Sequence, residues 1–167
     1  MATFAMTQAV EADAELIASL RNSVSEHLTL QSGTGHWSGG VTEKGILRNM
    51  SPTSRVLVAR RRGAIVATLR LATKKPWAID VTYFTACKKP LYLLDMAVAP
   101  KLQRQGLGRR CIEQAIAFAR EWPGDSIRLD AYDASAGAGA FYAKCGFREV
   151  GRVVYRKTPL IYYERML

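Results

Sequence analysis

Long hydrophobic runs are missing from this chain of 167 residues. No apolar stretch approaches the roughly 20 residues that a helix needs to cross a bilayer, so we expect no membrane span. The first residues include Glu11, Asp13 and Glu15, and they lack the basic and apolar segments of a secretory signal. We therefore predict a protein of the cytoplasm.

Cysteine is scarce as well. The chain has 3 cysteines, Cys87, Cys111 and Cys145, and they do not show the spacing of metal ligands. An odd number of thiols also argues against a disulfide framework. We expect reduced, mostly buried thiols and no metal site.

Acidic residues are outnumbered by basic ones. The chain has 24 Lys and Arg against 14 Asp and Glu, which gives a formal net charge of +10. Such a balance favours an anionic partner such as a nucleotide. No zinc-finger spacing and no aromatic RNA-binding set is present, so we expect no nucleic-acid partner.

Hydrophobic periodicity alternates between the period of a strand and that of a helix. With 49% hydrophobic and 23% charged residues, this predicts one folded α/β domain over 1–167 with a central mixed sheet. The helix over 135–145 would be capped by Ser135. The predicted strands are 3–6, 55–60, 64–71, 91–98, 126–132, 147–156 and 160–166, and the predicted helices are 12–28, 42–50, 106–121 and 135–145.

One passage from a strand through glycines into a helix carries most of the functional information. The apolar run 91–98 ends at Pro100, the turn contains Gly106 and Gly108, and a helical stripe begins at Cys111. The first N–H groups of a helix have no acceptor within it, and together with the helix dipole they attract phosphate. Glycines let a ligand approach the backbone closely. This turn therefore predicts a phosphate-binding site.

Two common phosphate motifs do not fit the turn. The dinucleotide fingerprint needs a third glycine where Cys111 stands, and the P-loop needs Lys-Ser/Thr where Arg109 and Arg110 stand. The remaining pattern, Gln103-x-x-Gly106-x-Gly108, resembles the coenzyme A pyrophosphate loop of the GCN5-related N-acetyltransferase (GNAT) superfamily. A second match, over 135–147, is similar to that family's Asn-x-x-Ala-x-x-apolar-Tyr-x-x-x-Gly-Phe segment. The resemblance is strongest over 91–150.

The resemblance implies a mixed, mostly antiparallel sheet of about six or seven strands with flanking helices. Two parallel strands, here 91–98 and 126–132, would splay apart to hold the pantetheine arm of acetyl-coenzyme A, the acyl donor. It also implies contacts with coenzyme A from a set of strand, loop and helix residues: Met96, Ala97, Val98, Gln103, Arg104, Gln105, Gly106, Leu107, Gly108, Arg109, Ser135 and Tyr142.

The same resemblance implies acetyl transfer by direct attack of an amine on the thioester in a ternary complex. Tyr142 matches the tyrosine that protonates the leaving thiolate in the family, and a backbone N–H near Val98 would stabilise the carbonyl oxygen. Asp95 lies in an apolar strand, so it either has a structural partner or faces the cleft as the base. A chain of waters is the other candidate base. Three further residues fall in the expected acceptor region, His36, Glu43 and Asp80.

Position 135 departs from the family pattern, because Ser135 stands where an Asn is usual. The glycines at 137 and 139 also weaken a helix. Two explanations stay open at this point: the cofactor passes close to these residues, or the helix starts later than predicted.

The acceptor is the least determined feature of the sequence. Aromatic residues in three segments would line a pocket for a small primary amine: His36, Trp37, Trp77, Tyr83, Phe84, Tyr155, Tyr162 and Tyr163. A protein or peptide amine, a non-catalytic acyl-coenzyme A module, and a nucleic-acid binder driven only by charge are the alternatives. A homodimer is possible.

Overall fold

The computed structural model describes residues 4–167 and builds them around one seven-stranded sheet with four α-helices. The strands are β1 (Met6–Gln8), β2 (Ser54–Arg61), β3 (Ala64–Ala72), β4 (Pro90–Val98), β5 (Ser126–Tyr132), β6 (Arg148–Tyr155) and β7 (Thr158–Met166). The helices are α1 (Ala14–Ser32), α2 (Glu43–Arg48), α3 (Leu107–Glu121) and α4 (Gly139–Lys144).

The order of strands in the sheet is β1-β2-β3-β4-β5-β7-β6. β4 and β5 pair in parallel, and every other pair of neighbours is antiparallel. The mixed, mostly antiparallel sheet with flanking helices is therefore confirmed. Because β4 and β5 are parallel, the chain needs a crossover between them, and α3 supplies it.

Alternation along β2 distributes its side chains between two cores. Val56 and Val58 face α1 in one core, whereas Leu57 and Ala59 belong to the core that contains α3. A strand turns successive side chains to opposite faces, so helices on both faces require apolar residues throughout. Helices therefore pack on both faces of the sheet.

Local signals placed several elements correctly. The predicted stripe on α3 is the buried one, namely Cys111, Ile112, Ala115, Ile116 and Ala119. Thr42 caps α2 by accepting a hydrogen bond from the Gly45 N–H at 3.1 Å. The hairpin of β2 and β3 turns at Arg62 and Gly63, both with positive φ.

Other boundaries differ from the prediction. The opening strand is Met6–Gln8 and not 3–6, and Thr3 lies outside the described residues. α1 continues to Ser32, four residues beyond the predicted end at 28. α4 begins at Gly139 and not at 135, because the chain turns through residues 133–136 after β5. Of the helices within 4–167, none combines the length and the apolar character that a bilayer crossing requires.

Candidate active site

β4 and β5 separate along their length. Their parallel pairing joins Pro90 to Ser126, Leu91 to Ile127 and Tyr92 to Arg128, and the register ends there. Beyond Tyr92 and Arg128, β4 remains paired with β3 on its other side, and β5 remains paired with β7. Residues 93–97 of β4 and 130–132 of β5 then face each other across an open cleft. The predicted splay of these two strands is confirmed.

A bulge in β4 turns the strand at the cleft. Thr68 pairs with Ala97 but Arg70 pairs with Leu94, so β4 has one more residue than β3 between these pairs. Asp95 occupies the left-handed region with φ 57°, a conformation that Asp tolerates better than most residues. A bulge leaves part of the ladder unpaired, and it does so here beside Met96.

Asp95 has two arginine partners. Its carboxylate accepts from Arg21 Nη2 of α1 at 3.1 Å and from Arg70 Nε of β3 at 2.8 Å. The three side chains are mostly buried. The structure thus gives Asp95 structural partners, and Asp95 also lines the cavity, so its role as the base stays a prediction. The two guanidinium groups compensate the charge of this carboxylate.

The turn after β4 exposes the start of α3. Gly106 lies just before the helix with φ +81°, and a Cβ there would have no atom within 4 Å. The helix ladder begins with the Arg110 N–H donating to Gly106 O, so the amides of 107–109 have no carbonyl one turn back. This is the arrangement that the phosphate motif predicts.

Two glutamines of the turn hold its shape through their side chains. The Gln103 amide donates to Val98 O at 3.0 Å, and the Gln105 amide donates to Lys101 O at 2.9 Å. Gln103 thus links the turn to β4, and Gln105 links two parts of the turn.

Gly108 has a packing reason to be glycine. A Cβ at this position would lie 3.1 Å from the Phe141 ring of α4. The start of α3 therefore rests directly on α4. Four basic residues surround the same turn and are exposed, namely Lys101, Arg104, Arg109 and Arg110.

A cavity of about 360 Å³ lies where the two strands part. β4 and β5 form its floor, and α1 with the following loop forms a wall through Arg21, Val24, Leu28 and Trp37. The loop is fixed to α1, because Ser25 Oγ donates to Trp37 O at 2.6 Å. The cavity is thus bounded by ordered elements on each side.

Tyr142 reaches this cavity from α4. It is 8% exposed, and its hydroxyl donates to Met96 Sδ at 3.9 Å, a weak contact with the bulge of β4. Burial raises the pKa of the Tyr142 phenol well above its ordinary value, and the negative charge of Asp130 adds to the effect. The phenol therefore stays protonated at neutral pH and has a proton to donate.

Asp130 of β5 is a cavity residue that the sequence analysis did not select. Among residues 4–167 its carboxylate has no ion pair or hydrogen bond to another side chain. Burial raises its pKa, and the nearby charge of Asp95 acts in the same direction. The sequence contains one signal that could have identified Asp130. It is a carboxylate in an apolar strand, as Asp95 is.

The acceptor-region residues predicted beside Asp95 lie elsewhere. Glu43 is exposed in the first turn of α2, and Asp80 accepts from the Thr82 N–H at 3.0 Å in a surface turn. His36 lies behind the cavity, where it stacks on Tyr132 and bonds Thr158 Oγ1 at 3.0 Å. None of the three lines the cavity.

Most of the predicted acceptor aromatics are packing residues. Phe84 and Tyr162 form a small core, and Tyr163 belongs to the core around α3. Trp77 and Tyr83 are exposed outside the cavity. Trp37 is the one predicted aromatic residue that lines it, in an edge-to-face contact with Tyr132 at 5.7 Å.

Ser135 does not cap α4. It is exposed in the loop after β5, and the residue before the helix is Ala138. The reason is close packing, since a Cβ on Gly137 would overlap Tyr132 O and one on Gly139 would lie 2.5 Å from the Tyr163 hydroxyl. The late start of the helix is the correct alternative. A contact of Ser135 with coenzyme A stays a prediction.

Two of the three thiols are buried, as predicted. Burial raises the pKa of Cys111 to about 12, so this thiol behaves as a small apolar group. Cys87 is partly exposed and lies 3.2 Å from Ser126 Oγ. Within 4–167, no group of three or more His, Cys, Asp or Glu is placed to hold a metal ion.

Comparison with known proteins agrees with this architecture. The model of the acetyltransferase (GNAT) family matches residues 23–147. No curated protein matches the sequence.

Three solved structures illustrate the likeness. Smu.2055 from Streptococcus mutans UA159 has a TM-score of 0.75 at 18% identity, over 97% of this chain and 98% of that chain. A ribosomal-protein-alanine N-acetyltransferase from Brucella melitensis has a TM-score of 0.74 at 21% identity, over 98% and 99%. An aminoglycoside 6'-N-acetyltransferase complexed with coenzyme A has a TM-score of 0.66 at 14% identity, over 97% and 96%.

The ion pairs of Asp95 predict a measurable loss of stability. Asp95→Asn leaves two mostly buried arginines without their charged acceptor and should lower the free energy of unfolding by about 1–3 kcal/mol. Asp133→Asn is the matched control, since Asp133 pairs with Arg152 at the surface and should lose less than about 1 kcal/mol. Urea unfolding measures both, and equal losses would contradict the importance of the Asp95 pairs.

Proposed function

Because the chain belongs to the acetyltransferase (GNAT) family, we propose that it transfers the acetyl group of acetyl-coenzyme A to the primary amine of a small molecule. The observation that carries the proposal is the cleft between β4 and β5. It brings together the bulged strand, the Tyr142 hydroxyl and a cavity for the second substrate. The exposed start of α3 follows the same strand.

The proposed binding of acetyl-coenzyme A depends on backbone N–H groups and on basic side chains. The backbone N–H groups of 107–109 would bind the pyrophosphate at the positive end of α3, and Gly106, which has no side chain, would leave space for it. The basic residues around the turn would neutralise the phosphates. The pantetheine arm would then lie along β4, where the bulge at Asp95 and Met96 leaves polar backbone groups for its amides.

The chemistry needs a neutral amine, a donor for the carbonyl oxygen and an acid for the departing thiolate. We assign the acid to Tyr142, because it lies in the cavity beside Met96 and burial keeps its phenol protonated. We assign the oxyanion donor to a backbone N–H near Val98. For Asp95 we propose a positioning role, in which it fixes the bulge through Arg21 and Arg70.

The size of the cavity favours a small acceptor. Its volume of about 360 Å³ lies at the lower end of the range of roughly 300–1,000 Å³ that is usual for small-molecule sites. The apolar side chains Val24 and Leu28 and the ring of Trp37 suit an amine with an apolar or planar part. By their names, the similar structures act on ribosomal protein and on aminoglycoside, so likeness of fold alone does not choose between these classes.

Gly106→Asp should weaken acetyl-coenzyme A binding by about tenfold or more, the effect of roughly 1.4 kcal/mol. It adds a negative charge where the proposal places the pyrophosphate, and it strains a residue at φ +81°. Isothermal titration calorimetry with acetyl-coenzyme A measures the change.

Gly63→Asp is the matched control for that substitution. Gly63 has the same φ of +81° and the same open surroundings, but it lies in the turn between β2 and β3. Both variants should lose similar stability, and Gly63→Asp should keep its affinity. Equal affinities in the two variants would remove the turn before α3 from the proposed site.

Tyr142→Phe should lower kcat by on the order of a hundredfold or more, with little change in the affinity for acetyl-coenzyme A. The variant removes the acid and its weak contact with Met96 while keeping the packed ring. Stopped-flow release of free thiol measures kcat, and calorimetry measures affinity. Full activity in the variant would show that Tyr142 is not the acid.

A screen of acceptors tests the proposed function itself. The protein is mixed with acetyl-coenzyme A and with separate panels of small primary amines and of peptides with a free amino group, and thiol release is followed. We expect acetylation of small amines. Acetylation of peptides alone would establish a protein acceptor, and binding without thiol release in either panel would establish a non-catalytic module.

A further inference from the structure

The wall of the cavity contains one arginine. Among the residues within 4–167 that line the cavity, Arg21 of α1 is the only one with a permanent positive charge. A guanidinium group has five N–H donors, and Arg21 uses one of them, from Nη2 to Asp95 Oδ1 at 3.1 Å. In the described part of the chain, the one fully buried side-chain donor without a partner is Arg128 Nε. The remaining N–H groups of Arg21 are therefore accessible, and a ligand in the cavity can reach them.

The ion pairs around Asp95 contain more positive charge than negative charge. Asp95 accepts from Arg21 and also from Arg70 Nε at 2.8 Å, so two guanidinium groups share one carboxylate. The three side chains are mostly buried, where an uncompensated charge is costly. Arg21 lines the cavity, whereas Arg70 does not. The surplus positive charge is therefore presented to the cavity by Arg21, and a bound anion would compensate it.

We infer that Arg21 binds a carboxylate of the acceptor, which defines the acceptor class as free α-amino acids. This inference rests on the proposed function and names its substrate class. A guanidinium group binds a carboxylate best through two parallel N–H···O bonds, and Arg21 has enough unused N–H groups for such a pair. Asp130 on the facing strand β5 balances the surplus positive charge of the cavity. A cavity with charges of both signs suits an acceptor that is itself a zwitterion.

A carboxylate on Arg21 would hold the amine at the reacting centre. Asp95, the partner of Arg21, lies in the bulge of β4 directly before Met96. The Tyr142 hydroxyl donates to Met96 Sδ at 3.9 Å, so the proposed acid for the thiolate lies at the same point of the strand. In an α-amino acid the amine and the carboxylate are bonded to one carbon atom. The amine therefore stays close to the bulge when Arg21 binds the carboxylate.

The face of α1 that begins at Arg21 would contact the side chain of the amino acid. Arg21, Val24 and Leu28 are spaced by three and four residues, so they lie on one face of the helix, and all three line the cavity. Leu28 lies about 10 Å from Arg21 along the helix axis. Trp37 continues this apolar wall, where its ring meets Tyr132. We therefore expect acceptors with a large apolar or aromatic side chain, such as leucine, phenylalanine and tryptophan.

The decisive experiment compares each amino acid with its decarboxylated counterpart. The pairs are leucine with isopentylamine, phenylalanine with phenethylamine, and tryptophan with tryptamine, and the members of a pair differ in the carboxylate alone. Thiol release from acetyl-coenzyme A gives kcat/KM for all six compounds. In at least one pair, the wild type should have a kcat/KM at least about tenfold higher for the amino acid, because only the amino acid can pair with Arg21.

Arg21→Gln is the test variant, and Arg70→Gln is its matched control. The two arginine side chains are 21% and 18% exposed and both pair with Asp95, so the variants should lose similar stability. Any disturbance of the bulge should slow both members of a pair alike. Arg21→Gln should in addition lose the preference for the amino acid by about tenfold or more, through a higher KM. Arg70→Gln should keep the ratio between amino acid and amine, and Arg21→Lys should keep part of it.

Calorimetry with the three amino acids and protein saturated with free coenzyme A adds a measurement that needs no turnover. The wild type should bind at least one of them about tenfold more tightly than Arg21→Gln, while both proteins should bind acetyl-coenzyme A equally. Binding that depends on Arg21 without acetyl transfer would refute the proposed function and leave this inference standing. Equal or better use of the amine in every pair would overturn the inference and leave the proposed function standing. The inference is also overturned if none of the amino acids binds, or if Arg21→Gln keeps the preference.

Discussion

The separation of β4 from β5 after Tyr92 is the constraint on which the rest of the site depends. Parallel strands normally stay paired, because the ladder satisfies their backbone groups. Here one extra residue in β4 turns the strand, and Asp95, held from both sides by Arg21 and Arg70, occupies the left-handed conformation that the turn requires. The opening between the strands, the exposed backbone and the cavity all follow from this local irregularity.

The two cavity carboxylates show how one sheet can hold similar groups in different states. Two arginines pair with Asp95, whereas burial and the charge of Asp95 raise the pKa of Asp130 against a backbone hydrogen bond that lowers it. Buried titratable groups with a shifted pKa, such as Asp130, are typical of functional sites. Tyr142 extends the pattern, because the same burial that raises the pKa of Asp130 keeps the phenol protonated.

Local signals allowed much of the fold and the glycine turn before α3 to be predicted. The stripe on α3, the cap at Thr42 and the bounds of β5 depend on neighbouring residues, and these predictions are confirmed. The start of α4 depends on Gly137 meeting a carbonyl of β5 and on Gly139 meeting Tyr163 of β7, contacts that are distant in sequence. The pairing of Asp95 likewise depends on where Arg21 and Arg70 lie once the chain has folded.

Gly108 links two parts of the site that otherwise look independent. Because Gly108 has no Cβ, the first turn of α3 rests on the Phe141 ring, and Phe141 precedes Tyr142 on a helix of fewer than two turns. A shift of one helix start is therefore passed to the phenol through a single aromatic ring. The start of α3 and Tyr142 are therefore coupled by packing. The effects of substitutions at these two places on the free energy of unfolding should not simply add.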